Sequence, residues 1–341
     1  MTWSRRPEEL LGPLLLVGAA GLLGTAFSAS IQVYFINSLV FAAIVVALYV
    51  FVGNSGVVSF GHISFVAVGA WTAGVLSVPA SEKPAIMPNL FSFLQDTTVG
   101  NVPSLLLAAL VGGVYALLVG LPLMRLSGLA AGIATFAVLE ITNNVLRYYE
   151  KIGPGVNTFS SVPETTDLLQ ATLAVMVVVV IAFVYQRSRF GRLLRAGRED
   201  APAARSVGVW IFSQRLLAFA LSGALAGFAG GLYIHLLPLS TDSVYLELTF
   251  FTLAMLVVGG MTSLWGAVVG ALAVTGLDSF LAEAENGIDV LGLHIDLPGG
   301  TRIIVVGALM ALVLIVHPTG LTGGREFSLD RMVSRVRRKP A

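Results

Sequence analysis

The 341-residue sequence predicts an all-α polytopic membrane protein with about ten transmembrane helices. Three observations carry this reading. The chain is 56% hydrophobic and only 11% charged, with a mean hydropathy of +0.87. A soluble domain carries about 25% charged residues and could not hide so much apolar surface. Apolar runs recur near the roughly 20 residues that a helix needs to cross a bilayer. Finally, the arginines gather in short polar stretches between those runs. Seven of the twenty basic residues fall within 187–215: Arg187, Arg189, Arg192, Arg195, Arg198, Arg205 and Arg215. The absence of Cys excludes disulfides, thiolate nucleophiles and cysteine metal sites.

The spans follow in order. The first, 10–30, comes after Arg5 and Arg6; its apolar run is too long for a signal-peptide core, and no cleavage signature follows. The second is 33–52. The turn Gly53-Asn54-Ser55-Gly56 separates it from the third, 57–78. After a polar loop with Pro79, Pro84, Pro88 and Asp96 come 103–124 and 127–146. A loop rich in Gly, Pro, Ser and Thr, 147–167, leads to the sixth span, 168–185. The arginine island precedes the seventh, 216–237. The apolar run 248–281 would extend about 50 Å as one helix, well beyond a ~30 Å hydrocarbon core. Gly259-Gly260-Met261-Thr262-Ser263 interrupts it. It reads as a hairpin of span eight, 248–258, short and broken or tilted, and span nine, 264–281. Span ten is 303–316.

Charge sets the orientation. Short loops rich in Arg and Lys stay in the cytoplasm. That rule places inside the N-terminus, the island, and a basic cytoplasmic tail, 318–341, with Arg325, Arg331, Arg335, Arg337, Arg338 and Lys339. Ten spans with both termini inside satisfy every cluster. The acidic loop with Glu283, Glu285, Asp289 and Asp296 then lies outside. A faint echo joins Val52–Gly61 to Val258–Ala267 in sequence, and each runs on to Val-Gly-Ala, at Val68-Gly69-Ala70 and Val269-Gly270-Ala271. Both copies cross in the same direction, so a repeat would be parallel; chance similarity between Gly- and Val-rich helices explains it equally well.

Polar residues inside spans mark candidate functional positions. Gly223, Gly227 and Gly231, with Ala226 and Gly230 beside them, form a small-residue face that permits close helix packing in lipid. Ser59, Gly61, His62 and Ser64 lie near the start of span three. His62 is either a gate or a histidine satisfied by a backbone carbonyl at a helix interface. Glu140, Asn143, Asn144 and Arg147 share one face of span five by their offsets. An intramembrane carboxylate marks a pathway or a pair, and Glu140 is open to both, Arg147 or a neighbouring helix supplying the pair. No phosphate loop, His-Glu-x-x-His or Gly-x-Ser-x-Gly motif occurs, so the sequence reads as no enzyme, with no cofactor or metal of its own. The basic residues flank membrane spans without interleaved aromatics, which argues against nucleic acid.

Within the island, Asp200 can N-cap a helix over 201–207, with Pro202 in its first turn and Gly208 as the residue that ends it. Gly191 and Gly197 are expected to break the preceding segment. Arginines that merely obey the positive-inside rule and meet lipid phosphates would explain the charge, but not these caps.

The order of motifs resembles the LivM-type permease subunits of branched-chain amino-acid ABC importers. The stretches are GNSGVVSFGHISFVAVGAW from Gly53, GRLLRAGREDAPAARSVGV from Gly191, AFALSGALAGFAGGLY from Ala218, and Gly259 to Ala271. The resemblance covers most of the chain and implies one transmembrane permease domain over 1–341. It implies that 187–215 is a cytoplasmic coupling loop between spans six and seven that docks into a separate ATPase. Gly191, Arg192, Arg198, Glu199, Ala203, Ala204 and Gly208 fall on the loop pattern. It further implies cytosolic ATP-binding subunits that hold the ATP, a second related permease subunit, and an extracytoplasmic solute-binding protein, in a prokaryotic plasma membrane. Pro202 departs from the pattern, and so does the outer loop Gly153 to Phe159. The solute implied by the resemblance is a branched-chain amino acid or a related small polar solute such as an amide or urea. The competing expectation is a stand-alone secondary transporter or channel using Glu140 and His62.

Overall fold

The computed structural model describes residues 8–285, 287–290, 293–295 and 297–327. Arg5, Arg6, Asp296 and most of the basic tail lie outside the described residues. The described chain is helical throughout apart from one short hairpin. In order, the helices are α1 (Glu8–Gly24), α2 (Ala29–Ser55), α3 (His62–Ser77), α4 (Lys83–Ile86), α5 (Ser92–Gln95), α6 (Asn101–Leu123) and α7 (Gly128–Tyr148). Then come α8 (Leu168–Arg187), α9 (Arg189–Glu199), α10 (Ala201–Ser206), α11 (Ile211–Ile234), α12 (Leu246–Gly259), α13 (Leu264–Glu285) and α14 (Thr301–Val316). Among the described residues, α2, α6, α7, α8, α11 and α13 are long and apolar enough to cross a membrane; α3, α12 and α14 are shorter apolar helices.

The bundle is built around α2 and α11. Helix α2 has no polar stripe, and from Leu39 to Ser55 it is buried on every side, as an all-apolar helix must be. It packs against α11, α8 and α13. Helix α11 is held by its small residues. A Cβ on Gly112 of α6 would lie 2.7 Å from the Gly223 carbonyl oxygen and 3.0 Å from Gly227 Cα. A Cβ on Gly230 would lie 3.0 Å from the Ala70 nitrogen of α3. One face of α11 thus meets α6 and the next meets α3 with backbone against backbone. This is the close approach expected of the small-residue face, and it is where dispersion contacts gather in the absence of a hydrophobic drive between helices.

Loop contacts sort into two ends. At one end, the island meets the ends of α2 and α11; Arg215 donates to the Leu126 carbonyl (3.2 Å) and Arg125 lies over the Phe212 ring. The segment after α14 returns to the turn between α12 and α13. Leu321 N–H donates to Val258 O (2.7 Å) and Thr322 N–H to Gly259 O (3.2 Å). The Glu326 carboxylate accepts from the N–H groups of Leu264 (3.0 Å) and Trp265 (3.2 Å). It thereby fills two orphan donors at the start of α13. At the other end, Asn89 donates to Glu150 (2.6 Å), Phe159 bridges Leu239, Arg147 pairs with Asp242 (3.0 Å), and Tyr34 donates to Glu283 (2.9 Å).

Two expectations change, one open alternative closes, and one element is new. Residues 57–61, read as the start of span three, are not helical. Gly56 turns the chain in the left-handed region (φ 70°), and the Thr135 hydroxyl accepts from Phe60 N–H (3.1 Å), so this lead-in, buried at Ser59 and Gly61, has a partner without helix formation. Helix α12 is continuous rather than broken. Gly191 and Gly197 do not interrupt the island: α9 runs through both, because Gly191 lets the helix close onto the Tyr185–Gln186 backbone and Gly197 onto Ile211. The antiparallel hairpin of β1 (Ile288–Val290) and β2 (Leu293–Ile295) was not foreseen in the acidic loop.

Candidate functional site

The island is two capped helices. The Ser188 hydroxyl accepts from Gly191 N–H (3.2 Å) and starts α9. The Asp200 carboxylate accepts from Ala203 N–H (3.0 Å) and starts α10, so the aspartate cap and Pro202 in the first turn stand as expected. At the far end Gly208 takes φ 84°. Gly208 N–H donates to Arg205 O (3.0 Å) and Val209 N–H to Ala204 O (3.0 Å), the paired bonds of a Schellman ending. Ala204, Val209 and Ile211 then bury together against Leu193 and Ala201. Pro202 therefore leaves the short helix intact, one residue shorter than the expected 201–207.

The seven loop residues divide by direction. Glu199 is 71% exposed, and Ala203, Arg192 and Gly208 are also exposed. Gly191 is buried against the Tyr185–Gln186 backbone of α8, and Ala204 within the island's own packing. Arg198 points inward: its side chain is 23% exposed, and its Nη1 donates to the Gly53 carbonyl (2.6 Å) in the last turn of α2. Its Nε and Nη2 donate to Glu199 Oε1 (3.0 and 2.6 Å).

A second polar group lies beside it. Arg187 pairs with Glu9, Arg195 donates to the Gln186 carbonyl, and the Tyr49 hydroxyl donates to Gln186 Oε1 (2.6 Å). Glu9, Gln186, Arg187, Arg192, Arg195 and Glu326 line a cavity of about 330 Å³. Burial pushes the Glu326 carboxyl above its usual range, against the pull of the Leu264 and Trp265 N–H groups and of Arg195 and Arg187.

The span candidates do not converge. His62 is buried, its Nε2 is 2.7 Å from the Ser222 hydroxyl, and that hydroxyl donates to Ala47 O (2.5 Å). Phe51, Phe65 and Phe219 surround the ring. This links α3, α11 and α2 through a hydroxyl rather than through the expected carbonyl alone. Glu140 is exposed on α7; one carboxylate oxygen accepts from Asn144 (2.8 Å) and the other from the Tyr245 hydroxyl at the start of α12. Arg147 pairs with Asp242, not with Glu140. Asn143 is buried, away from the exposed Glu140 and Asn144, so the expected four-residue face splits. The i+3 and i+4 offsets fall on opposite flanks of Glu140, and neighbours cover only one flank. Sequence spacing did not reveal Gly53, Ser222, Tyr245 or Glu326. Each acts through a contact distant in the chain; the only signal was that Gly53, Ser222 and Tyr245 are polar or glycine near a span end or within a span, and Glu326, in the tail, gave none.

A family model described as "Branched-chain amino acid transport system / permease component" matches residues 30–314. The high-affinity branched-chain amino acid transport system permease protein LivM of Salmonella typhimurium is 27% identical over 319 residues, covering 83% of this chain and 68% of LivM. A probable branched-chain amino acid transport permease protein LivH of Methanocaldococcus jannaschii is 26% identical over 170 residues, 48% of this chain and 50% of LivH. The autoinducer 2 import system permease protein LsrC of Shigella flexneri is 28% identical over 216 residues, 54% of this chain and 63% of LsrC. No solved structure matches.

Proposed function

The chain belongs to the branched-chain amino acid transport system / permease component family, a family of transport permeases and not an enzyme class, and from that we propose how it works. It is the transmembrane permease of a prokaryotic ABC importer. It moves a branched-chain amino acid, or a related small polar solute, across the plasma membrane. ATP is bound and hydrolysed by separate cytosolic subunits, an extracytoplasmic binding protein delivers the solute, and a second, related permease subunit completes the pathway within the lipid.

The observation that carries this reading is the built island. A stretch that only obeyed the charge rule would need no helix caps, yet α9 and α10 are capped at Ser188, Asp200 and Gly208. Their outward side offers Glu199, Ala203 and Arg205 to a partner. Ten alternating crossings, with island and termini in the cytoplasm, fit the two separate sets of end contacts, because no described loop contact joins one end to the other. The exposed Glu140 and Asn144, joined by the half-buried Tyr245, support a polar pathway wall on α7, since an ionised carboxylate facing lipid is costly.

The docking role has a direct test. Replacing Glu199 and Arg205 by alanine is expected to reduce the ATPase that co-purifies with the permease while leaving the amount of inserted permease unchanged. Undiminished co-purification would remove the outward face of α10 from the interface.

A further inference from the structure

We infer that Arg198 is a positioning residue that transmits island movement to the central helix α2, and is not itself a contact to the ATPase. This rests on the permease reading above. Among the described residues, the bond from Arg198 Nη1 to Gly53 O (2.6 Å) is the hydrogen bond that joins α9 and α10 to α2. Helix α9 also packs against α8, α10 and α11, and its Arg195 faces Glu326.

The site is made for this side chain. Gly53 O is one of the last four carbonyls of α2, which have no partner within the helix. A guanidinium there supplies a donor and a positive charge at the negative end of the helix dipole. Gly56 leaves room for the stem: a Cβ at Gly56 would lie 2.6 Å from Arg198 Cγ. Gly53 in turn abuts the turn between α12 and α13, where a Cβ would lie 2.7 Å from Met261 O. That turn is tied to the returning segment by Leu321 and Thr322. The two turns that echo each other in sequence therefore touch at the point Arg198 grips. A push on the island reaches α2 and the α12–α13 turn at this guanidinium, while Glu199 holds the fork in place from outside.

The test uses the complete complex of permease, ATPase and binding protein in proteoliposomes. Arg198→Ala is expected to keep its ATPase subunits and ATP hydrolysis. Solute moved per ATP is expected to fall by roughly the 5- to 150-fold typical of a coupling free energy between two sites. Loss of co-purifying ATPase, or unchanged transport per ATP, would overturn the inference. A second variant guards against misfolding: Arg198→Lys keeps a donor and a positive charge for the Gly53 carbonyl at the end of α2 and is expected to regain much of the solute moved per ATP. A lysine variant as uncoupled as the alanine one sinks the inference. A wild-type chain that recruits no ATPase would overturn the permease reading, and this inference with it.

Discussion

Glu140 and Arg198 are both polar residues that the sequence singles out, and the structure turns them in opposite directions. Arg198 folds inward onto α2, whereas Glu140 stays exposed with Asn144 and accepts from the half-buried Tyr245. An exposed polar pair on an apolar helix such as α7 calls for water or protein rather than lipid. The expected consequence is that Asn144→Cys reacts with a charged, membrane-impermeant maleimide in intact cells, against no cysteine background. Resistance to the charged reagent together with reaction towards a lipid-soluble one would place this face in lipid. At this scale the sequence was only partly informative. It marked His62, Glu140 and Arg198 by type, but not their partners. Ser222, Gly53 and Tyr245 lie 160, 145 and 105 residues away along the chain, beyond any local spacing rule.

Elements were far more legible where their signals are local. The cap at Asp200, the turn at Gly208 and the small-residue face of α11 all depend on residues within a few positions, and each stands as read. The misreadings came where a distant contact outweighed local preference. Thr135 holds the lead-in to α3 out of helix, and the backbone at Tyr185–Gln186 turns Gly191 from a breaker into a close-packing position. The glycine seam gives the element-scale prediction. Gly227 faces Gly112 Cα, at 3.1 Å from its would-be Cβ, with no flexible side chain to yield. Gly227→Val should destabilise the bundle by about 3 kcal/mol, the upper part of the usual overpacking range. A fall in the melting temperature of the detergent-solubilised protein would register it. An unchanged melting temperature would mean that α6 and α11 do not meet through this seam.

For the whole molecule, hydropathy anticipated the long apolar helices and the hairpin at 259–263. It could do so because lipid imposes a length on the sequence itself. It could not reveal which helix is central. That depends on burial of all sides of α2 and on glycines from three helices meeting at one seam. The resulting account is of a passive conduit whose movement is driven from its island by ATP hydrolysed elsewhere. Its most direct test is uptake of labelled leucine by proteoliposomes holding either the permease alone or the permease with its ATPase subunits and binding protein. The account predicts uptake that requires ATP and the full assembly, and none by the chain alone under a proton or sodium gradient. Gradient-driven uptake by the purified chain, independent of ATP, would contradict it.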